Sequence, residues 1–336
     1  MIEQLRNKRD FCFEIHSDTN SAETERIVQH FFAEQCLQWT LLKKNVAGLK
    51  SIKNRRFNFQ SCFIDIQVNP ERKRSTCANP EKNQDKKCVL CLENLIEQQK
   101  ALLVLHKYLI LCNPFPIFYH HLTISSLVHE AQKIENRFDD LFALSEILPS
   151  CLIFYNGAKC GASVPEHFHF QAGKKESFPL MQQIIRNSEL FLTTVKKTKE
   201  LEIAKSKNYP MPFFCLKSAN KSVLEKALKT LIGFAEIKQG EAEPMMNLMG
   251  FFDGLAWNIF VFFRAKLRPW QFSAENEQKL LISPASVELL GLFVTPEISH
   301  FLKITKHDIL DICKQITISE NKFAYLEHKI KESSFH

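Results

Sequence analysis

No run of about 18 consecutive apolar residues occurs in the 336-residue chain, so a transmembrane helix is not expected. The longest candidate, around Phe251 to Phe263, is broken by Asp253, Gly254 and Asn258. The opening residues, MIEQLRNKRDFCFEIH, lack the apolar core of a secretory signal, and a cytoplasmic protein with no membrane partner is the simplest expectation. The 11 cysteines follow no repeating frame, and most sit in apolar runs, such as Cys112 in LILC and Cys151 in CLIF. This argues against a disulfide scaffold and for buried free thiols. No Arg-Gly-aromatic tract or nucleic-acid-binding motif appears. The formal charge of +7 suits a small polyanionic partner without demanding nucleic acid.

With 45% hydrophobic and 24% charged residues, the chain has the make-up of a globular protein, enough for one large core or two modest ones. Residues 21–49 repeat apolar positions at three- and four-residue steps behind Ser21, which predicts helix. Phe57 to Val68 alternates and reads as strand; Asn69 to Lys87 is polar, with two Asn-Pro pairs, and reads as loop. Strands are expected at Lys107 to Cys112, His121 to Ser125, Cys151 to Tyr155 and His167 to Gln171, with a helix within Ala131 to Leu148. Leu180 to Ser206 reads as helical. Met246 to Met249 and Trp257 to Phe263 read as strands, Ser286 to Phe293 as an apolar run, and Ile304 to Ile316 as a closing helix. The pattern is α+β, helices packed on an antiparallel sheet, with a weak echo of the first half in the second.

Chemistry concentrates at His167-Phe-His169-Phe-Gln171. On a strand, residues two apart share a face, so both imidazoles and the amide are expected to meet one space while Phe168 and Phe170 enter the core. The preceding loop, Asn156-Gly-Ala-Lys-Cys-Gly161-Ala162-Ser163, is built of small residues whose backbone N–H groups can approach phosphate oxygens. Its glycine spacing matches neither common nucleotide-binding fingerprint. Two surface histidines on an amphipathic strand are the bland alternative, and the loop weighs against it.

The loop followed by HFHFQ resembles the histidine triad superfamily. Its hydrolases end H-x-H-x-H, whereas its transferase branch, with galactose-1-phosphate uridylyltransferase, diadenosine tetraphosphate phosphorylase and GDP-hexose phosphorylase, ends H-x-H-x-Q. Gln171 therefore points to that branch, and to a histidine-triad-like antiparallel sheet with two related half-domains. The expected organisation is an N-terminal helical segment (1–50), a catalytic half (51–175) and a second half completing the pocket (176–336). The resemblance implies that His169 attacks a nucleotide α-phosphorus and carries the nucleotidyl group, with His167, Gln171 and Ser163 in the catalytic set. Asn156, Gly161 and Ala162 would hold the phosphates, Asn113 and Phe115 the base or ribose, and Asn69, Arg72 and Arg74 phosphate or sugar. Lys266 and Arg268 are further phosphate candidates. Substrates would be a nucleoside diphosphate sugar, GDP-hexose-like, or a dinucleoside polyphosphate, with phosphate or a sugar phosphate as acceptor. A triad-type hydrolase and a non-catalytic nucleotide binder of the same fold are the alternatives, and a homodimer is left open. Glu166, directly before His167, departs from the family pattern.

Cys88-Val-Leu-Cys91 has zinc-ligand spacing but no second such pair, so histidines must complete any site. By resemblance to the uridylyltransferases, the set is Cys88, Cys91, His129 (His121 as alternative) and His167, around a structural zinc.

Overall fold

The computed structural model describes residues 12–15, 19–77 and 87–335. Eleven strands form one sheet. In chain order they are β1 (Cys12–Ile15), β4 (Ala101–Val104), β5 (Tyr108–Cys112), β6 (Leu122–Ser126), β7 (Cys151–Asn156), β8 (His169–Lys174), β9 (Leu192–Lys197), β10 (Glu202–Ser206), β11 (Phe214–Ser218), β12 (Met246–Phe252) and β13 (Trp257–Phe263). Three more, β2 (Lys53–Asn58), β3 (Phe63–Val68) and β14 (Leu292–Thr295), form a small second sheet.

The large sheet runs β1-β4-β5-β6-β8-β7-β12-β13-β11-β10-β9. Taken from its two outer ends, β4-β5-β6-β8-β7 and β9-β10-β11-β13-β12 are the same antiparallel order, each with a helix between its third and fourth strands, Phe138–Ile147 and Lys221–Gly233. The echo in the sequence is thus a structural repeat. Its halves meet where β7 pairs antiparallel with β12, Asn156 opposite Asn247. β1 departs from the antiparallel pattern by running parallel to β4.

Both faces are covered. Phe168, Phe170, Tyr155 and Tyr108 pack on one face under the helices Ser21–Gln38, Phe138–Ile147 and Lys221–Gly233. Phe154, Phe118, Met249 and Phe260 pack on the other, against the small sheet and the helices Pro179–Arg186 and Lys306–Ile316. Because side chains alternate, His169 and Gln171 fall on this second face.

Two expectations are corrected. Phe57 to Val68 is not one strand: β2 and β3 form a hairpin turned at Phe59 to Cys62, where Phe59 N–H donates to Cys62 O at 2.7 Å. Leu180 to Ser206 is helical only at Pro179–Arg186 and Ser188–Phe191, and continues as β9 and β10. Thr193, Thr194 and Val195 are branched residues suited to a pleated surface, and β10 and β11 supply the ladder, a non-local partner that local spacing does not display. The helix expected within Ala131 to Leu148 is Phe138–Ile147, and residues 127–137 before it are a loop that grips β8. Among the described residues, no helix is long and apolar enough to cross a membrane.

Candidate active site

A cavity of about 630 Å³ opens on the second face. It is walled by the ends of β6, β7 and β8, the Gly161–Val164 loop, the Asn113–Ile117 turn, and Leu267, Arg268 and Ala285–Glu288 from the second half. His169, Gln171, Ser163, Asn156, Gly161, Ala162, Asn113, Phe115 and Arg72 all line it, as does Arg268.

His169 is 2% exposed. Its Nδ1 lies 2.9 Å from the carbonyl of His167. A carbonyl only accepts, so Nδ1 carries the proton and Nε2 keeps its lone pair. Burial holds the imidazole neutral, its pKa pulled down to about 4. The backbone of His169 is clamped by Gln132, whose Oε1 accepts from His169 N–H (2.9 Å) while its Nε2 donates to His169 O (2.9 Å) and Asn156 O (3.0 Å). Nothing in the spacing marked Gln132; it reaches the strand from the loop that precedes the helix Phe138–Ile147.

Gln171 is oriented by His121. Ile117 N–H donates to His121 Nδ1 (3.3 Å), so His121 Nε2 bears hydrogen and donates to Gln171 Oε1 at 2.9 Å. The amide NH2 of Gln171 is then the end free for a ligand oxygen. His121 is 1% exposed, and burial lowers its pKa to about 3, so it stays neutral in this role. This is a correction to its reading as an alternative metal ligand.

His167 corrects the expectation that all three polar side chains share one space. It precedes β8, and its ring turns away from the cavity: Nε2 donates to Ser126 O (2.8 Å), and Nδ1 lies 3.3 Å from Cys88 Sγ and 3.4 Å from Cys91 Sγ. Cys91 Sγ is 3.1 Å from His129 Nδ1, and the four donor atoms all lie within 4.8 Å of one another. Two thiols and two imidazoles converging so closely can hold a metal ion. The carbonyl contact of His167 Nε2 is the outer support a metal-bound imidazole takes, and it leaves Nδ1 for the ion.

The loop before the motif is held from the second half. Gly161 has φ +103°, and an added Cβ would come 2.4 Å from the Cβ of Ala285, so glycine is required. Asn156 Oδ1 accepts from Ser286 N–H (3.0 Å), Ser286 Oγ (2.7 Å) and Asn247 Nδ2 (2.7 Å). Asn247 Oδ1 in turn accepts from the buried guanidinium of Arg264 at 2.9 Å, whose other N–H groups reach the carbonyls of Ile316, Lys266, Leu267 and Pro284. Sequence reasoning missed Asn247, Arg264 and Ser286, because their partners are remote along the chain.

Asn113 and Phe115 form the turn on the cavity wall, Asn113 Oδ1 accepting from Phe115 N–H at 3.0 Å. Arg72 Nη1 donates to Phe115 O. Asn69 is not brought to the wall: it lies behind, donating to Pro116 O at 3.1 Å. Lys266 points elsewhere, to Gln315. The side chain of Arg74 lies outside the described residues.

Residues 31–174 match the family model described as Domain of unknown function (DUF4922), and residues 186–335 match GDPGP1-like, C-terminal domain. Among solved structures, yeast Ap4A phosphorylase Apa2 is similar with a TM-score of 0.55 at 16% identity, over 84% of this chain and 97% of that one. Its complex with AMP gives a TM-score of 0.52 at 16% identity (84% and 96% covered). Its complex with Ap4A gives 0.51 at 13% (87% and 97%). No curated protein matches the chain by sequence. The chain thus shares the fold of yeast Ap4A phosphorylase, and that likeness together with the GDPGP1-like model supports its resemblance to the transferase branch of the histidine triad superfamily.

Proposed function

We propose that the protein is a nucleotidyl-transferring phosphorylase acting on a nucleoside diphosphate sugar or a dinucleoside polyphosphate, through a covalent nucleotidyl-His169 intermediate. In the first step His169 Nε2 forms a bond to the α-phosphorus, and the bond to the bridging oxygen breaks, its electron pair leaving with the distal phosphate group. In the second, an oxygen of inorganic phosphate or a sugar phosphate attacks the same phosphorus, and the electron pair of the N–P bond returns to Nε2. The Gln171 amide, held outward by His121, donates to a non-bridging oxygen in both steps. Gln171 has no proton to give a leaving group, which favours a good leaving phosphate and an acceptor already ionised.

One observation carries the reading: the single unprotonated nitrogen of a buried, neutral histidine faces a cavity that also receives an amide donor two residues on. The yeast relatives support the substrate class, being named Ap4A phosphorylase and containing AMP or Ap4A. The metal best suited to Cys88, Cys91, His129 and His167 is zinc in a structural role: it would pin the Cys88–Cys91 segment to the residue that positions His169. A cytoplasmic location accords with the free thiols.

The test is incubation with GDP-, UDP- and ADP-hexose and with diadenosine tetraphosphate, each with and without phosphate. Product that requires phosphate, together with an acid-labile nucleotidyl-protein absent from His169→Asn, is the expected result. Turnover unaffected in His169→Asn refutes the covalent mechanism, and equal turnover without phosphate makes the protein a hydrolase.

A further inference from the structure

Among the charged groups lining the cavity and given no part in this scheme are Arg72 and Glu288. Among the described residues, Arg72 reaches protein only through Nη1, donating to Phe115 O, and its Nε is buried with no partner there. Among the described residues no carboxylate lies within ion-pair distance of it, although it lines the cavity. A guanidinium on a cavity wall with no carboxylate partner among the described residues calls for an oxyanion, and the cavity is where one can sit. Across the same space stands Glu288, 6% exposed. Its Oε2 accepts from Ala285 N–H at 2.8 Å. Arg264, the cation besides Arg72 that acts on Glu288, has every side-chain nitrogen directed to a carbonyl or to Asn247, so it cannot serve as its hydrogen-bonded partner.

We propose that Arg72 and Glu288 form the subsite for the attacking oxyanion, and that Glu288 makes this subsite select an oxyanion bearing a hydroxyl, as inorganic phosphate does. Arg72 donates to a charged oxygen, and the Glu288 carboxylate accepts from the P–OH. Sulfate has the size and charge of phosphate but no proton at neutral pH, so it meets the carboxylate as an unrelieved repulsion. A carboxylate placed in an anion site is unfavourable for any ligand except one that donates to it. Burial pushes the Glu288 carboxyl up to about 7, against the pull of Ala285 N–H and of Arg72 and Arg264. It is therefore mostly ionised at about pH 8, where the selection is sharpest.

This rests on the phosphorylase reading, and the experiment separates the two. At about pH 8, formation of the nucleotidyl-protein without phosphate is measured first, then the KM for phosphate and inhibition by sulfate, in wild type, Glu288→Gln, Glu288→Asp and Arg72→Gln. The expected result is that Glu288→Gln still forms the nucleotidyl-protein but loses about 10- to 100-fold of the preference for phosphate over sulfate, the worth of one charge-assisted hydrogen bond against a buried repulsion. Glu288→Asp, which keeps the carboxylate, retains most of the preference, and Arg72→Gln weakens both anions. An unchanged preference in a folded Glu288→Gln overturns the proposal, as does loss of the nucleotidyl-protein in that variant with preference intact. If wild type shows no phosphate-dependent turnover, the phosphorylase reading has failed. Calorimetric titration of phosphate and sulfate into wild type and Glu288→Gln then decides the subsite by itself, equal affinities refuting it.

Discussion

Gln132→Ala is the substitution that most directly tests how His169 is presented. The Gln132 side chain, 3% exposed, makes three hydrogen bonds, to His169 N–H, His169 O and Asn156 O. Removing it strands one buried N–H, at about 1–3 kcal/mol, while the two carbonyls, each with a second lone pair, lose less. The expected destabilisation is about 2–4 kcal/mol, read as a shift in the midpoint of denaturant unfolding with unchanged slope. Activity should fall further than stability explains. Asn156 and His169 are the two ends of the clamp, and a displacement of the nucleophile by a fraction of an ångström costs about 10- to 100-fold in kcat. Gln132→Glu sharpens the test. It keeps the acceptor for His169 N–H but sets a carboxylate against two carbonyls, so that fold must take up a proton and is less stable at about pH 8 than at about pH 6. An unfolding midpoint within about 0.5 kcal/mol of wild type, with kcat unaltered in Gln132→Ala, refutes the clamp.

Three more outcomes are expected. His121→Leu leaves Gln171 Oε1 unpaired and free to turn its amide, so kcat drops about 10-fold or more with little change in substrate KM; a pure KM effect would contradict the orienting role. The pKa of His169, about 4 in the fold, lies below its unfolded value of about 6.5, so the unfolded chain binds more protons between those values. Stability from His169 is therefore complete above about pH 6.5 and lost as pH falls toward 4. His169→Asn should flatten that part of the stability profile, and an identical acid slope in the variant would disprove it. Protein purified without added metal should contain about one zinc per chain, with Cys91→Ser lacking it and melting lower; a ratio near zero in wild type defeats the zinc assignment.

The HFHFQ motif and its loop were legible because their logic is local. A period of two places Phe168 and Phe170 in the core and His169 and Gln171 opposite, and a left-handed glycine beside a close neighbour is met by Gly161. The Cys88–Cys91 pair announced itself by spacing in the same way. The strands around the motif and the repeat of the second half were readable to within a few residues; β9 and β10 were not, since their lysine-rich sequence takes its conformation from the ladder with β11.

What the sequence alone determined, then, is the set of groups: two histidines and an amide at alternate positions, a small-residue loop and a thiol pair. Where each group points was decided by tertiary structure. The turn of His167 toward the thiols, the grip of Gln132 on His169, the tautomer of His121 and the convergence of Arg72 and Glu288 all depend on hydrogen bonds and burial between segments far apart in the chain. Side-chain periodicity is set by the backbone of one strand, but a buried polar group takes its direction from whichever distant partner satisfies it, and only the packed fold supplies that partner.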